Sequence, residues 1–145
     1  NGESLSFIFD TIVINASASS GKNHAEWVEK IHMTDHIYIT VNQHDTTLGK
    51  AELYQEWSSE GYKWGCLGKR LISKEGFNVP LAENAFYVDL TESDFRHVYY
   101  LHRYLNKNRS AKHFFDSILN GNPAKLDRAH GLKKIKRNRI YILEK

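Results

Sequence analysis

Asp45 and His97 are the two residues best placed in this sequence to move a proton. The run Ile37-Tyr38-Ile39-Thr40-Val41 is apolar and β-branched, and it ends in the polar turn Asn42-Gln43-His44. That turn delivers Asp45 just ahead of a helix-like stretch. About fifty residues later a second strand-like run, Ala85 to Leu90, is followed by Phe95-Arg96-His97-Val98-Tyr99-Tyr100. In a parallel sheet the carboxyl ends of the strands are where ligands and reactive groups collect. A carboxylate and an imidazole, each following its own strand, are the pair that activates a hydroxyl. The imidazole takes the proton, and the carboxylate fixes the tautomer and stabilises the imidazolium. A hydroxyl presented on a strand-to-helix elbow, Gly-x-Ser-x-Gly, is not found in the sequence.

Each candidate has a plainer reading. An Asp at a strand-to-helix junction beside Thr46-Thr47 is also a good helix N-cap. Asp89 sits at the carboxyl end of its strand and competes as the acid, whereas Asp35 precedes its strand and lies at the other end. His102 falls five residues after His97, about 140° around a helix, so the two do not share a face. His24, His32, His36 and His44 show no ligand spacing, so no metal is expected. No cofactor is expected either, because no Gly-x-Gly-x-x-Gly follows the first strand. Trp57, Tyr62 and Trp64 adjoin a glycine-rich loop, where they either line a substrate entrance or tie the loop down. Tyr99, Tyr100 and Tyr104, with Leu101 and Leu105, read as packing residues of a helix.

The elements that must position these groups follow from periodicity. Leu5 to Ile14 is apolar on both faces, as in a strand covered on both sides, and ends in the small-residue loop Asn15 to Gly21. The spacing predicts a helix over His24–Met33 (Trp27, Val28, Ile31), the strand Ile37–Val41, and a helix over Thr47–Trp57 (Leu48, Ala51, Leu53, Tyr54, Trp57). A long irregular region, Ser58 to Asn84, is punctuated by glycines and has the length of a functional or lid-like loop. The strand Ala85–Leu90 follows, then helices over Asp94–Leu105 and Ala111–Leu119, the last stopped by Gly121 and Pro123. Strands alternating with helices argue for an α/β fold with a parallel sheet. About three strands with flanking helices make an incomplete three-layer domain, so a partner sheet is expected from elsewhere, on the same parent chain or a second one.

The chain has 145 residues, 41% hydrophobic and 26% charged, an ordinary composition for one globular domain. It opens on Asn1 rather than Met, which reads as a piece of something longer. No apolar run approaches the roughly 18–20 residues that span a bilayer, and no leader pattern is seen; the expected location is cytoplasmic. A lone Cys66 excludes an internal disulfide. The net charge of +3 is uneven, because residues 125–145 hold eight Lys/Arg against Asp127 and Glu144. Residues 1–122 are therefore read as the domain and 123–145 as a basic tail. The run Lys133 to Arg139 reads as a solvated end, as a contact for nucleic acid or an anionic surface, or as ordered chain leading into the strand-like Ile140-Tyr141-Ile142-Leu143.

Taken together, residues 5–120 resemble the carboxy-terminal half of an α/β-hydrolase, in particular an uncharacterised bacterial α/β-hydrolase family. The likeness rests on Thr11 to Ser20, on the strand ending Asn42-x-x-Asp45, on Leu67-Gly68-Lys69-Arg70-Leu71, on Val88-Asp89, and on His97 followed by aromatics. It implies that Asp45 is the acid and His97 the base of a Ser-His-Asp triad acting on a small ester or amide. The nucleophile would then come from a missing amino-terminal half; Ser17, Ser19, Ser20 and Gly21 follow the wrong strand to supply it. The other reading open at this stage is a non-catalytic interaction module of the same architecture that binds through the basic tail or the aromatic loop.

Overall fold

A computed structural model describes residues 8–55, 64–71, 78–93, 108–135 and 140–143. Its strands are β1 (Phe9–Ile14), β2 (Thr34–Val41), β3 (Ala85–Asp89), β4 (Leu132–Lys134) and β5 (Ile140–Leu143). Its α-helices are α1 (His24–Val28), α2 (Thr46–Gln55) and α3 (Arg109–Leu119), with single 3-10 turns at Thr91–Ser93 and Arg128–His130. The strands form one sheet in the order β1-β2-β3-β5-β4. β1, β2, β3 and β5 run parallel, and β4 is antiparallel to β5. The α/β class expected from the alternation is therefore present, with five strands where about three were expected.

The two additional strands come from the basic tail, so that of its three readings the ordered one, leading into Ile140–Leu143, describes it. Lys133 and Lys134 are exposed there, but Leu132, Ile140, Tyr141 and Leu143 are buried. A short strand with one buried residue in three reads as a charge run, so its apolar partner across the sheet is what orders it. The helix expected over Asp94–Leu105, with His97, His102 and its tyrosines, lies outside the described residues.

Side chains alternate between two buried layers, which is why the central strands are apolar on both faces. Ile37, Ile39, Ala85, Tyr87 and Ile140 pack with Val28 of α1 and with Leu67 and Ala82. Tyr38, Val88, Tyr141, Leu143 and Leu132 pack with Ala111, Phe114, Phe115 and Ile118 of α3. α3 starts at the cap Asn108, whose side chain accepts the Ala111 N–H. It ends where Asn122 N–H bonds to Ser117 O and Gly121 N–H to Ile118 O, the Schellman pattern that the expected stop at Gly121 requires.

Two helices depart from their expected form. α1 ends at Val28 rather than Met33, and Asn84 Nδ2 donates to the carbonyls of Val28 and Ile31, taking up acceptors that further helix would use. α2 does not bury the apolar face expected of it: Leu48 is buried, but Leu53 and Tyr54 are 59% and 82% exposed. Among the described side chains of α2 the other buried one is Glu52, one turn after Leu48. Arg70 grips it with two bonds, Nε to Oε1 at 3.0 Å and Nη2 to Oε2 at 2.7 Å, and Cys66 N–H donates to Oε1 at 3.0 Å. α2 is thus docked through a paired charge, with the hydrogen bonds a buried carboxylate needs. The Cys66 thiol beside it is fully buried, and burial first, then the Glu52 charge, pushes its pKa up to about 11.

A polar trio lies under β3. His24 Nδ1–H donates to Gly21 O at 2.8 Å, so Nε2 is the acceptor for the Tyr87 hydroxyl at 2.6 Å. The same hydroxyl oxygen accepts the Ala82 N–H at 2.8 Å. Burial holds the His24 pKa below its ordinary value. An unfolded chain protonates this imidazole near pH 6.5, whereas the folded chain does so only at lower pH. Its contribution to stability is therefore complete above about pH 6.5 and is lost as pH falls through the folded value. Tyr87→Phe orphans both the Ala82 N–H and His24 Nε2 and is expected to cost about 2–4 kcal/mol at neutral pH. Urea midpoints of wild type and variant between pH 5 and 8 measure both effects.

Candidate functional site

The parallel strands bring three loops to one rim of the sheet. Asn15 to Ser20 follow β1, Asn42 to Asp45 follow β2, and Asp89 to Ser93 close β3. A fourth segment, residues 64–71, is laid across the first two. Leu67 N–H donates to Ser19 O and Gly68 N–H to Ser17 O, both at 2.8 Å, and Asn42 N–H donates to Gly68 O at 2.9 Å. Lys69 Nζ then reaches two backbone carbonyls of the β2 turn, Gln43 O at 3.0 Å and Asp45 O at 2.9 Å. Gln43 N–H donates to Thr91 Oγ1 at 3.1 Å, joining the β2 and β3 loops. Below the rim, Thr40 Oγ1 donates to Asn15 Oδ1 at 2.5 Å, joining those of β1 and β2.

Asp45 is the most enclosed carboxylate of this rim, 1% exposed. Its Oδ1 accepts the N–H groups of Thr47 and Leu48, each at 2.9 Å. The helix-cap role is therefore real, and it also fixes the carboxylate in one orientation. Asn42, fully buried, accepts the His44 N–H through its Oδ1, and Asp45 N–H donates to Asn42 O. The β2 turn is thus held by its own side chains as well as by Lys69.

Asp89 ends β3 on the same rim, half-buried, with Oδ1 accepting the Thr91 N–H at 2.9 Å. Asp35 lies at the amino end of β2. His97, Trp57 and Tyr62 lie outside the described residues. Trp64 is described: it is half-buried at the start of the segment that crosses the rim, next to Gly65, whose carbonyl accepts the Gly21 N–H.

Gly68 and Lys69 are the rim residues that sequence reading did not single out for a role. Both act on backbone atoms of other loops, which leave no mark in side-chain type; the signal available was a Gly-Lys pair inside an irregular segment. Among the described residues no group of three or more His, Cys, Asp or Glu is arranged to hold a metal ion. No helix among them is long and apolar enough to cross a membrane. Comparison with protein-family models, with curated proteins and with solved structures finds no match to this chain, so the functional reading rests on the rim itself.

Proposed function

We propose that this chain is the carboxy-terminal part of a serine hydrolase of α/β-hydrolase fold, in which Asp45 orients His97 and a serine from outside these residues attacks an ester or amide. The observation that carries the reading is Asp45: a carboxylate buried at the carboxyl end of a central parallel strand and oriented by two backbone N–H groups. His97 takes the serine proton as the oxygen attacks the carbonyl carbon, then delivers it to the leaving alcohol or amine. Water repeats the sequence on the acyl-enzyme and returns the free acid. Asp89 is the competing acid.

A serine-directed fluorophosphonate probe tests this on protein that carries the upstream segment. Covalent labelling that disappears in His97→Ala is the expected result. Well-folded protein that takes up no label overturns it. That result favours the interaction-module reading, for which the exposed Leu53 and Tyr54 on α2 are the supporting observation.

A further inference from the structure

An open cleft of about 750 Å³ lies between the first two turns of α3 and the 3-10 turn at Arg128–His130. That volume is in the range of small-molecule sites. The topology puts it on the same rim as the strand carboxyl ends. β5 is parallel to β3, and Leu132, the first residue of β4, pairs with Leu143, the last of β5. The 3-10 turn immediately before β4 therefore stands at the carboxyl rim, and the start of α3 packs against it.

Gly131 makes that packing possible. Its φ is +76°, and a Cβ there would come within 1.8 Å of Ser110 Oγ. Only a residue without a side chain lets the turn approach the helix so closely.

The cleft is polar and cationic. α3 turns its apolar stripe (Ala111, Phe114, Phe115, Ile118) to the sheet, and the residues spaced i, i+3, i+4, i+7 (Arg109, Lys112, His113, Asp116) line the cleft. Arg128 and His130 complete it from the turn. Among the described lining residues, three permanent cations thus face a single carboxylate, and that carboxylate, Asp116, is paired with Lys112. Neither Arg109 nor Arg128 has an ion-pair partner among the described residues.

The imidazoles are ordered. His113 and His130 stack with ring centroids 4.5 Å apart and planes 18° apart. His130 Nδ1–H donates to Asp127 Oδ1 at 2.6 Å, which fixes the ring from outside the cleft.

We infer that this cleft binds a small ligand bearing a diphosphate group, held between Arg109 on α3 and Arg128 on the turn. Guanidinium groups suit phosphoryl oxygens because they present paired N–H donors, and two of them on separate elements match two linked phosphoryl groups better than one. Beyond the two imidazole rings, the described lining residues offer no aromatic or large apolar side chain, and the anionic group is what they recognise. A nucleic-acid backbone carries the same chemistry in a repeating form, but among the described residues Arg109, Lys112 and Arg128 gather in one cleft.

Inorganic pyrophosphate is the probe, titrated into the full chain while the side-chain nitrogen signals of His113 and His130 are followed by NMR. Saturable shifts of both rings are expected. Arg109→Gln/Arg128→Gln is expected to weaken binding about tenfold or more, and Lys133→Gln, on exposed β4 outside the cleft, less than about twofold. Absence of saturable shifts in the wild-type rings overturns the inference, whatever the variants do. So does equal weakening by Lys133→Gln, or binding of a single-stranded oligonucleotide by protein that ignores pyrophosphate.

Discussion

Asp45→Asn is expected to lower turnover on the order of 10⁴-fold in protein that carries the serine, while leaving the fold in place. The two halves of that expectation separate the cap from the charge. Asn retains a side-chain oxygen that can accept the N–H groups of Thr47 and Leu48, and Asn caps helices about as well as Asp. The stability of α2 should therefore change by less than about 1 kcal/mol. What Asn lacks is the negative charge that stabilises an imidazolium. Steady-state hydrolysis of a simple ester, read beside a urea midpoint, separates the cap from the acid. Activity held within about tenfold of wild type would remove Asp45 from the mechanism. A collapse in Asp89→Asn instead would transfer the role to the end of β3.

Gly68→Ala is expected to be among the most damaging single-methyl additions in the molecule, at about 2–4 kcal/mol. Its Cβ would lie 2.4 Å from Ser17 N, 2.7 Å from Ala16 C and 2.9 Å from Ala16 Cα, all backbone atoms that cannot rotate aside. Relief requires the crossing segment to lift, and lifting breaks the Gly68 N–H bond to Ser17 O and the Asn42 N–H bond to Gly68 O. Lys69 would then leave the carbonyls of Gln43 and Asp45, loosening the turn that presents the acid. Gly49→Ala is the internal control: it lies within α2, where its Cβ meets only the flexible end of Lys69 at 3.4 Å. It should gain about 0.5–1 kcal/mol from helix propensity. Paired urea denaturation curves test the contrast, and equal effects at the two glycines would refute the close-approach argument.

The central strands were legible in the sequence because burial on both faces writes a continuous apolar run, but β1 carries the same signal and is an edge strand, with Phe9 exposed and Thr11 to Ile14 only half-buried. β4 was not legible, because two of its three residues are lysines and its order depends on Leu132 meeting Leu143 across the sheet. The docking of α2 was hidden for a related reason. Beside Leu48 its buried contact is Glu52, and the partner that makes burial tolerable, Arg70, lies in another segment. Periodicity therefore pointed to Leu53 and Tyr54, which face outward. At the rim, Asp45 could be found from position alone, since a carboxylate at the end of an apolar strand is conspicuous. The support from Lys69 and Gly68 could not, because it is delivered to main-chain carbonyls and amides. The cleft on α3 was equally unreadable: its cations come from a helix and from a turn that meet only because Gly131 has no side chain.

The position of β5 sets an order on assembly. β4 precedes it in the chain yet joins the sheet only through it, because β5 lies between β3 and β4. Zipping β3 to β5 links Tyr87 with Ile140, about fifty residues away, so this closure carries a loop-entropy cost that local hairpins avoid. Until it happens, the outer margin of β3 offers unpaired amides and carbonyls beside Tyr87 and Val88. Pairing with β5 closes that edge to other strands.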